Sequence, residues 1–349
     1  MKSLIYGYGI TGKSIERYLI KNNIDYKIYD DNKDLYTSDK FTNILKDNWD
    51  VIYCSPGINK ADFEELKFIA KEDVLTDLDI FMAQDTSIKI GITGTNRKST
   101  TCFHLHQLLS KDYAVNLIGN IGEPVLDYLN TGAKFSIIEF SSQQLDKLKE
   151  IKLDYGVLLN IAPDHIDYHG SFEEYKSSKD RILEAKEKSY ENNPYKLFHW
   201  ITGKEAEVIN LKNLPFRFEI ITKSIINDSK STNMHSLDYA IKKANQHFND
   251  DKYDLIICGN PAKEDFRTFN PDGPEHTFIF GLHANEINKC INHSEKKLHK
   301  NLSDVLIEIS NNKNQNILFS PGYPSGDDFK NFEERGEYFN KLVHEILLK

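Results

Sequence analysis

Ten residues between an apolar run and a helical stretch could handle phosphate. They read Gly91-Ile92-Thr93-Gly94-Thr95-Asn96-Arg97-Lys98-Ser99-Thr100. Residues 88–93 have the β-branched composition of a strand, and a helix is expected from Lys98 to about Lys111. Strand, glycine-bearing loop, Lys-Ser and helix form the pattern of a phosphate loop. Backbone N–H groups from Gly94 to Arg97 would cradle phosphate oxygens, and Lys98 would reach the β- and γ-phosphates. The Ser99 hydroxyl, followed by Thr100, suits Mg2+. Arg97 stands where such loops carry glycine, so a left-handed backbone is expected there at a cost of about 1–2 kcal/mol. A chance turn rich in glycine and threonine is the bland alternative.

A second glycine turn, Gly7-Tyr8-Gly9-Ile10-Thr11-Gly12, follows the strand-like Ser3–Tyr6. Asp30 and Asp31 stand at the end of the next strand-like run, 26–29. That is the dinucleotide fingerprint in its proper setting, and alone it would suggest an NAD-dependent oxidoreductase. The physics says less. Glycines let the backbone approach a phosphate, and a helix N-terminus favours its charge, so any nucleotide diphosphate fits. A purely structural strand-to-helix turn also stays open.

Other residues carry chemistry by type. Glu139 ends an apolar run, where a buried acid is costly unless paired or metal-bound; with Ser99 it offers oxygen ligands for one Mg2+. His165-x-x-x-His169 with Asp164 and Asp167 could form a zinc-like cluster. Otherwise His169 is expected as a solvated loop histidine. Lys179 lies on an amphipathic helical stretch and is by default a surface lysine. Lys230 starts a helix, where the dipole disfavours a cation, so a ligand contact is the preferred reading.

The elements that must position these residues alternate between strand and helix almost throughout. Strands are expected at 3–6, 26–29, 51–54, 88–93, 135–140, 156–161, 255–258, 277–280 and 317–320. Helices are expected at 13–21, 62–70, from 98, at 172–187, at 236–247 and near the C-terminus. This is an α/β pattern. The length of 349 residues suits two or three domains, and three α/β blocks favour three: residues 1–86, 87–215 and 216–349. A net charge of −9 argues against a nucleic-acid binder, and no apolar run approaches the ~20 residues of a membrane span. Four cysteines lie far apart, with no C-x-x-C pair. The first residues read as a strand rather than a leader, so a reducing cytoplasm is the expected setting.

Ordered motifs then give a resemblance. Gly94-Thr95-Asn96-Arg97-Lys98-Ser99-Thr100 is similar to the G-T-N-G-K-[ST]-T loop of the Mur ligases. In the same order follow Gly119-Asn120-Ile121-Gly122, Glu139-Phe140-Ser141-Ser142-Gln143-Gln144-Leu145, and Leu159-Asn160-Ile161-Ala162-Pro163-Asp164-His165. Then come Ser178-Lys179-Asp180-Arg181-Ile182, Arg217-Phe218-Glu219 and Ile226-Asn227-Asp228-Ser229-Lys230-Ser231-Thr232-Asn233. The last is Ser320-Pro321-Gly322-Tyr323-Pro324-Ser325-Gly326-Asp327-Asp328-Phe329-Lys330-Asn331-Phe332. Ser55-Pro56-Gly57-Ile58, the string from Ile226 to Asn233 and the ending from Asp327 to Phe332 resemble the D-glutamate-adding branch of that family.

The resemblance implies a Rossmann-like N-terminal domain, a P-loop ATPase-like central domain and a Rossmann-like C-terminal domain. It implies an ATP-dependent ligase that joins D-glutamate to UDP-N-acetylmuramoyl-L-alanine through an acyl phosphate, with Mg2+ as cofactor. Gly9, Thr11, Gly12, Asp30, Asn120, Ser141 and Gln144 would hold the UDP-sugar. ATP would take the phosphate loop with Arg217 and Asp228, and Lys98, His165 and Lys179 would serve catalysis. Ser99, Glu139, His165 and a carbamylated Lys179 would be metal ligands. Lys230, Thr232, Ser325 and Phe332 would contact D-glutamate, and Lys263 occupies another family lysine position. The partners are then small molecules, with a monomer expected.

The chain departs from the family between Arg181 and Arg217. No G-x-H-N-x-x-N string is found there, so a trimmed central domain is expected, with weaker ATP affinity and poor discrimination against GTP. A UDP-sugar-binding homologue without efficient ATP use, and a sister ligase with another amino acid or a folate, are the competing readings.

Overall fold

The structure is a computed structural model and describes residues 2–35, 37–43, 45, 48–261, 268–311 and 316–348. Lys263 lies outside the described residues. The chain divides into two compact units, Met1–Leu211 and Lys212–Lys349.

The first unit carries two parallel sheets. One orders its strands as Tyr26–Tyr29, Ser3–Tyr6, Val51–Cys54 and Asp73–Leu75. The other runs Val115–Gly119, Phe135–Glu139, Ile88–Thr93, Tyr155–Leu158 and Glu187–Ser189. The phosphate loop therefore leaves the middle strand of its sheet, where a parallel sheet collects ligands at the carboxyl ends of its strands. Helix Asp77–Gln84 joins the two sheets; its Thr76 cap and Asp79 bond reciprocally. One apolar cluster spans both sheets, including Ile5, Ile15, Ile28, Phe81, Ile138, Phe140 and Leu145. Each such side chain contributes about 1.5–3 kcal/mol on full burial, which holds the two sheets as one unit.

The second unit has a six-stranded sheet ordered Glu219–Thr222, Ile225–Asn227, Ile317–Gly322, Asp254–Cys258, His276–Phe280 and Lys296–His299. Only the first pair is antiparallel. Successive side chains of a strand face opposite ways. Leu255 and Ile257 thus meet helix Met234–His247 through Leu237 and Ala240. Ile256 and Cys258 face Leu306 of helix Leu302–Asn311 and Phe339 of helix Phe332–Ile346. Helices on both faces of a mostly parallel sheet make this half doubly wound.

The expected helix at 172–187 is shorter. It ends at Asp180, a 3-10 turn covers Arg181–Glu184, and Glu187–Ser189 becomes an edge strand. The turn packs so closely on the sheet that a Cβ at Gly156 would lie 2.2 Å from the Ile182 carbonyl oxygen. The shortened interval also holds helix Pro194–Thr202, whose Leu197, Phe198 and Ile201 cover Leu105 and Leu108 of the phosphate-loop helix. Among the described residues, no helix is long and apolar enough to cross a membrane.

Candidate active site

The phosphate loop leads from Ile88–Thr93 into helix Lys98–Leu109. Arg97 caps that helix in the left-handed region, at φ 66°. A neighbouring segment holds the loop in shape. Asn160 accepts from the Asn96 N–H with its side-chain oxygen at 2.9 Å and donates its amide to the Asn96 carbonyl at 2.9 Å. Its own carbonyl takes the Thr95 N–H at 2.9 Å. A Cβ at Gly94 would stand 3.0 Å from Leu159 Cβ, so the loop lies flat against this segment. The Thr95 hydroxyl bonds Ala162 and lies 2.8 Å from the Tyr175 hydroxyl. Lys98 folds over the loop, its Nζ donating to the Thr95 carbonyl at 3.0 Å. Ser99 is buried at the helix start.

Glu139 ends the adjacent strand, in register with Ile92, and is 1 % exposed. Its Oε1 accepts from the Asn120 amide at 3.0 Å, while Oε2 is buried with no hydrogen-bond partner among the described residues. Gly119 makes this approach possible: at φ 102°, a Cβ there would lie 2.4 Å from the Glu139 carbonyl oxygen. A buried carboxylate oxygen without a partner is costly, and it is the acceptor a divalent cation would use.

Lys179 is not a surface lysine. It is 2 % exposed, and its Nζ donates to the Gly94 carbonyl at 2.9 Å and sits 4.9 Å from the Tyr175 ring centre. Burial, reinforced by the Lys98 charge, pushes its ammonium well below the ordinary lysine range. Glu139 and Asp164 act on it in the opposite sense. His165 lies at the surface in left-handed backbone, φ 52°. Desolvation lowers its imidazole below the usual range; Asp164 opposes this, and Lys98 and Lys179 add to it. The structure thus brings Lys98, Glu139, His165 and Lys179 into one electrostatic cluster.

His169 is not a solvated loop histidine. The one-turn helix Ile166–His169 tucks it inward, where it pairs with the Ser142 hydroxyl at 2.9 Å and lies 3.4 Å from the Ser178 hydroxyl. A zinc-type cluster does not form: among the described residues, no three His, Cys, Asp or Glu converge to hold a metal. An Mg2+ site of Ser99, Glu139, His165 and a modified Lys179 rests on the unpartnered Glu139 oxygen.

In the first glycine turn, Gly7 and Gly12 meet backbone to backbone; a Cβ at Gly12 would fall 2.1 Å from the Gly7 carbonyl oxygen. Gly9 caps helix Ile10–Lys21, a Cβ there would meet nothing within 4 Å, and Thr11 lies in the first turn of that helix. Asp30 accepts from the Tyr8 N–H at 2.6 Å, so it braces the turn. Ser141 and Gln144 form a reciprocal cap on helix Ser142–Lys147. Asn120 has its amide on Glu139.

In the second unit, Phe216 and Phe218 both adopt positive φ, 59° and 52°, and flank Arg217. Bulky residues rarely do so, and the turn is held by Lys230 N–H to the Phe216 carbonyl at 2.9 Å and Phe218 N–H to Asp228 at 2.8 Å. Lys230 and Phe332 meet, the ammonium 3.8 Å from the ring centre. Thr232 is half-buried and Ser325 buried. Arg335, one turn beyond Phe332, is fully buried and bonds the Ser229 hydroxyl, the Ser229 carbonyl and the Tyr323 carbonyl. It ties the Lys230 turn to the loop before Ser325.

Burial pushes the Asp228 carboxyl up to about 7, against bonds from Phe218 and Ser320 that favour its ionised form. The native state then holds a proton that the unfolded chain has released between about pH 4 and 7. This group's contribution to stability is therefore complete at low pH and lost as pH rises through that window. Asp228→Asn should raise the melting temperature by a few degrees at pH 8 and leave it unchanged near pH 4. Equal melting-temperature differences at both pH values would contradict this.

Comparisons with known proteins agree with the geometry. Residues 92–268 match the family model described as Mur ligase middle domain. The UDP-N-acetylmuramoylalanine–D-glutamate ligase of Buchnera aphidicola subsp. Schizaphis graminum is 30 % identical, over 99 % of this chain and 98 % of that protein. That alignment runs over 442 positions against the 349 residues here, so the relative carries segments this chain skips. The enzyme of the same name from Thermosipho melanesiensis is 29 % identical over the same shares. Among solved structures, a MurF ligase from Thermotoga maritima in complex with ADP is similar in fold. Its TM-score is 0.60 at 14 % identity, with 98 % of this chain and 95 % of that one covered. A pseudomurein peptide ligase type C from Methanothermus fervidus gives a TM-score of 0.55 at 17 % identity, covering 99 % of both.

Proposed function

The chain belongs to the Mur ligase family, and from that premise we propose that it joins D-glutamate to UDP-N-acetylmuramoyl-L-alanine at the expense of ATP, in peptidoglycan precursor synthesis. The observation that carries the reading is the cluster of Lys98, Glu139, His165 and a buried Lys179 around a clamped phosphate loop. Residues 1–86 would hold the UDP-sugar, 87–215 ATP and 216–349 the amino acid, although the family match runs on to residue 268. A cytoplasmic monomer handling small molecules suffices, and all four cysteines are free and buried.

The substrate carboxylate takes the γ-phosphoryl group, releasing ADP and leaving an acyl phosphate. The D-glutamate amine then attacks the carbonyl carbon, and phosphate departs as the amide forms. Lys98 neutralises phosphoryl charge at the point of transfer. Ser99, Glu139, His165 and a carbamylated Lys179 would hold Mg2+. That cation supplies charge neutralisation for the phosphates. Arg217 and Asp228 are assigned to the nucleotide, and the Lys230–Phe332 pair, with Thr232 and Ser325, to the dicarboxylate.

The test is ADP release from protein, ATP, Mg2+ and the UDP-sugar with each of several amino acids. Release with D-glutamate alone supports the reading; sugar binding without release supports the non-catalytic homologue. The shortened segment at 182–216 lacks the family's asparagine string, and phosphate contacts dominate triphosphate affinity. We therefore expect kcat/KM for ATP and GTP to agree within about tenfold, the effect of one neutral hydrogen bond. A strong preference for ATP would show that the adenine site is rebuilt elsewhere.

A further inference from the structure

We propose that Lys147 is a positioning residue that fixes the Ser55-Pro56-Gly57 loop of the first sheet against the central sheet, and so sets the affinity for the UDP-sugar. The inference rests on the reading that the first glycine turn binds that sugar.

Lys147 closes the short helix Ser142–Lys147, whose Ser141 cap lies two positions after Glu139. The side chain leaves its own sheet. Its Nζ donates to the Pro56 carbonyl at 2.8 Å, across 91 residues of sequence. The residue is 3 % exposed, and the ammonium lies 4.8 Å from the Tyr168 ring centre. Pro56 follows strand Val51–Cys54, beside the glycine turn: Ser55 N–H donates to the Tyr6 carbonyl at 3.0 Å, and a Cβ at Gly7 would lie 3.2 Å from Ser55 Cβ. One helix thus has the Glu139 end of the central sheet at its start and the wall of the sugar crevice at its finish.

A carbonyl is a modest partner for a buried ammonium. Among the described residues no salt bridge reaches Lys147: Asp146, next to it, points to Lys60, Tyr168 and Ser178. Burial pushes the Lys147 ammonium down to about 8, although Cys54 and Asp146 act in its favour. A desolvated lysine held by a carbonyl and a ring costs stability. Its return is placement: a charge-assisted bond that pins a ligand-bearing loop from a second sheet.

Lys147→Met keeps the stem and removes the donor. Its KM for UDP-N-acetylmuramoyl-L-alanine should rise roughly tenfold, the equivalent of one charge-assisted hydrogen bond. kcat and the KM for ATP should hold within about twofold of wild type on that scale, and the melting temperature should stay level or rise. A lower melting temperature with kcat and both KM values changed alike would overturn the proposal in favour of a general structural role. An unchanged KM for the sugar would overturn it as well. Calorimetric titration of the UDP-sugar without ATP separates the premises. A wild-type protein that binds no UDP-sugar overturns the functional reading, and this inference with it. Equal sugar affinity in wild type and variant overturns the inference alone.

Discussion

Lys98→Ala should lower kcat by roughly 10²–10³-fold, the usual cost of removing one preorganised group at developing charge, while leaving the fold intact. The expectation follows from where Lys98 sits. Its Nζ bonds the Thr95 carbonyl of its own loop, and its side chain is half-buried rather than core. The loop is held by other groups: both sides of the Asn160 amide, the Thr95 hydroxyl and the flat seat of Gly94 on Leu159. Removing the ammonium therefore deletes charge where the γ-phosphoryl group would move, without deleting the scaffold. Steady-state ADP release and a thermal melt on the same sample decide it. More than a tenth of wild-type turnover in the variant would remove Lys98 from catalysis.

Arg97 sharpens the same point. Its left-handed backbone, φ 66°, was expected from its place in the loop alone. A non-glycine residue pays about 1–2 kcal/mol for that geometry, and the preceding Asn96 is held by two hydrogen bonds with Asn160.

How much of this was legible depended on what buries each residue. Ile88–Thr93 and Asp254–Cys258 are central parallel strands, covered on both faces; the isoleucines at every second position of the first and the apolar run 255–258 of the second mark them as strands. Lys296–His299 and Glu187–Ser189 are edge strands with polar residues, and composition cannot tell them from loops. The ends of helices slipped for the same reason: residues 172–187 keep helical composition past Asp180, where the chain passes into a 3-10 turn seated closely on Gly156. Site residues announced themselves by type and order, but their surroundings did not. Lys179 is buried by a loop 85 residues away, and His169 by a serine 27 residues away. Asn160 stood inside a recognised string, yet its role as the loop's clamp needed coordinates. Arg335 lies three residues beyond Phe332, on the same side of its helix. That spacing was the available signal, and a fully buried guanidinium is not what an exposed-looking Glu-Glu-Arg-Gly stretch suggests.

Lys179→Ala should lose roughly 10–100-fold in activity, the range seen when a group supporting a metal site is removed, and should recover in part in high acetate or formate. The argument runs from burial to chemistry. An ammonium at 2 % exposure beside the Lys98 charge is held well below its ordinary range, which favours the neutral amine. A neutral amine can add to carbon dioxide: a nitrogen–carbon bond forms, one proton leaves, and the product is a carbamate anion. That anion would be favoured by the Lys98 charge, and it would supply the oxygen ligands that a lysine cannot. The unmodified side chain has another use, as donor to the Gly94 carbonyl at 2.9 Å. Alanine removes both roles, so the melting temperature should fall while acetate restores rate without restoring the melt. Acetate that raised both would point to simple cavity filling. A variant with full activity and no response to acetate would make Lys179 a support for the phosphate loop and nothing more.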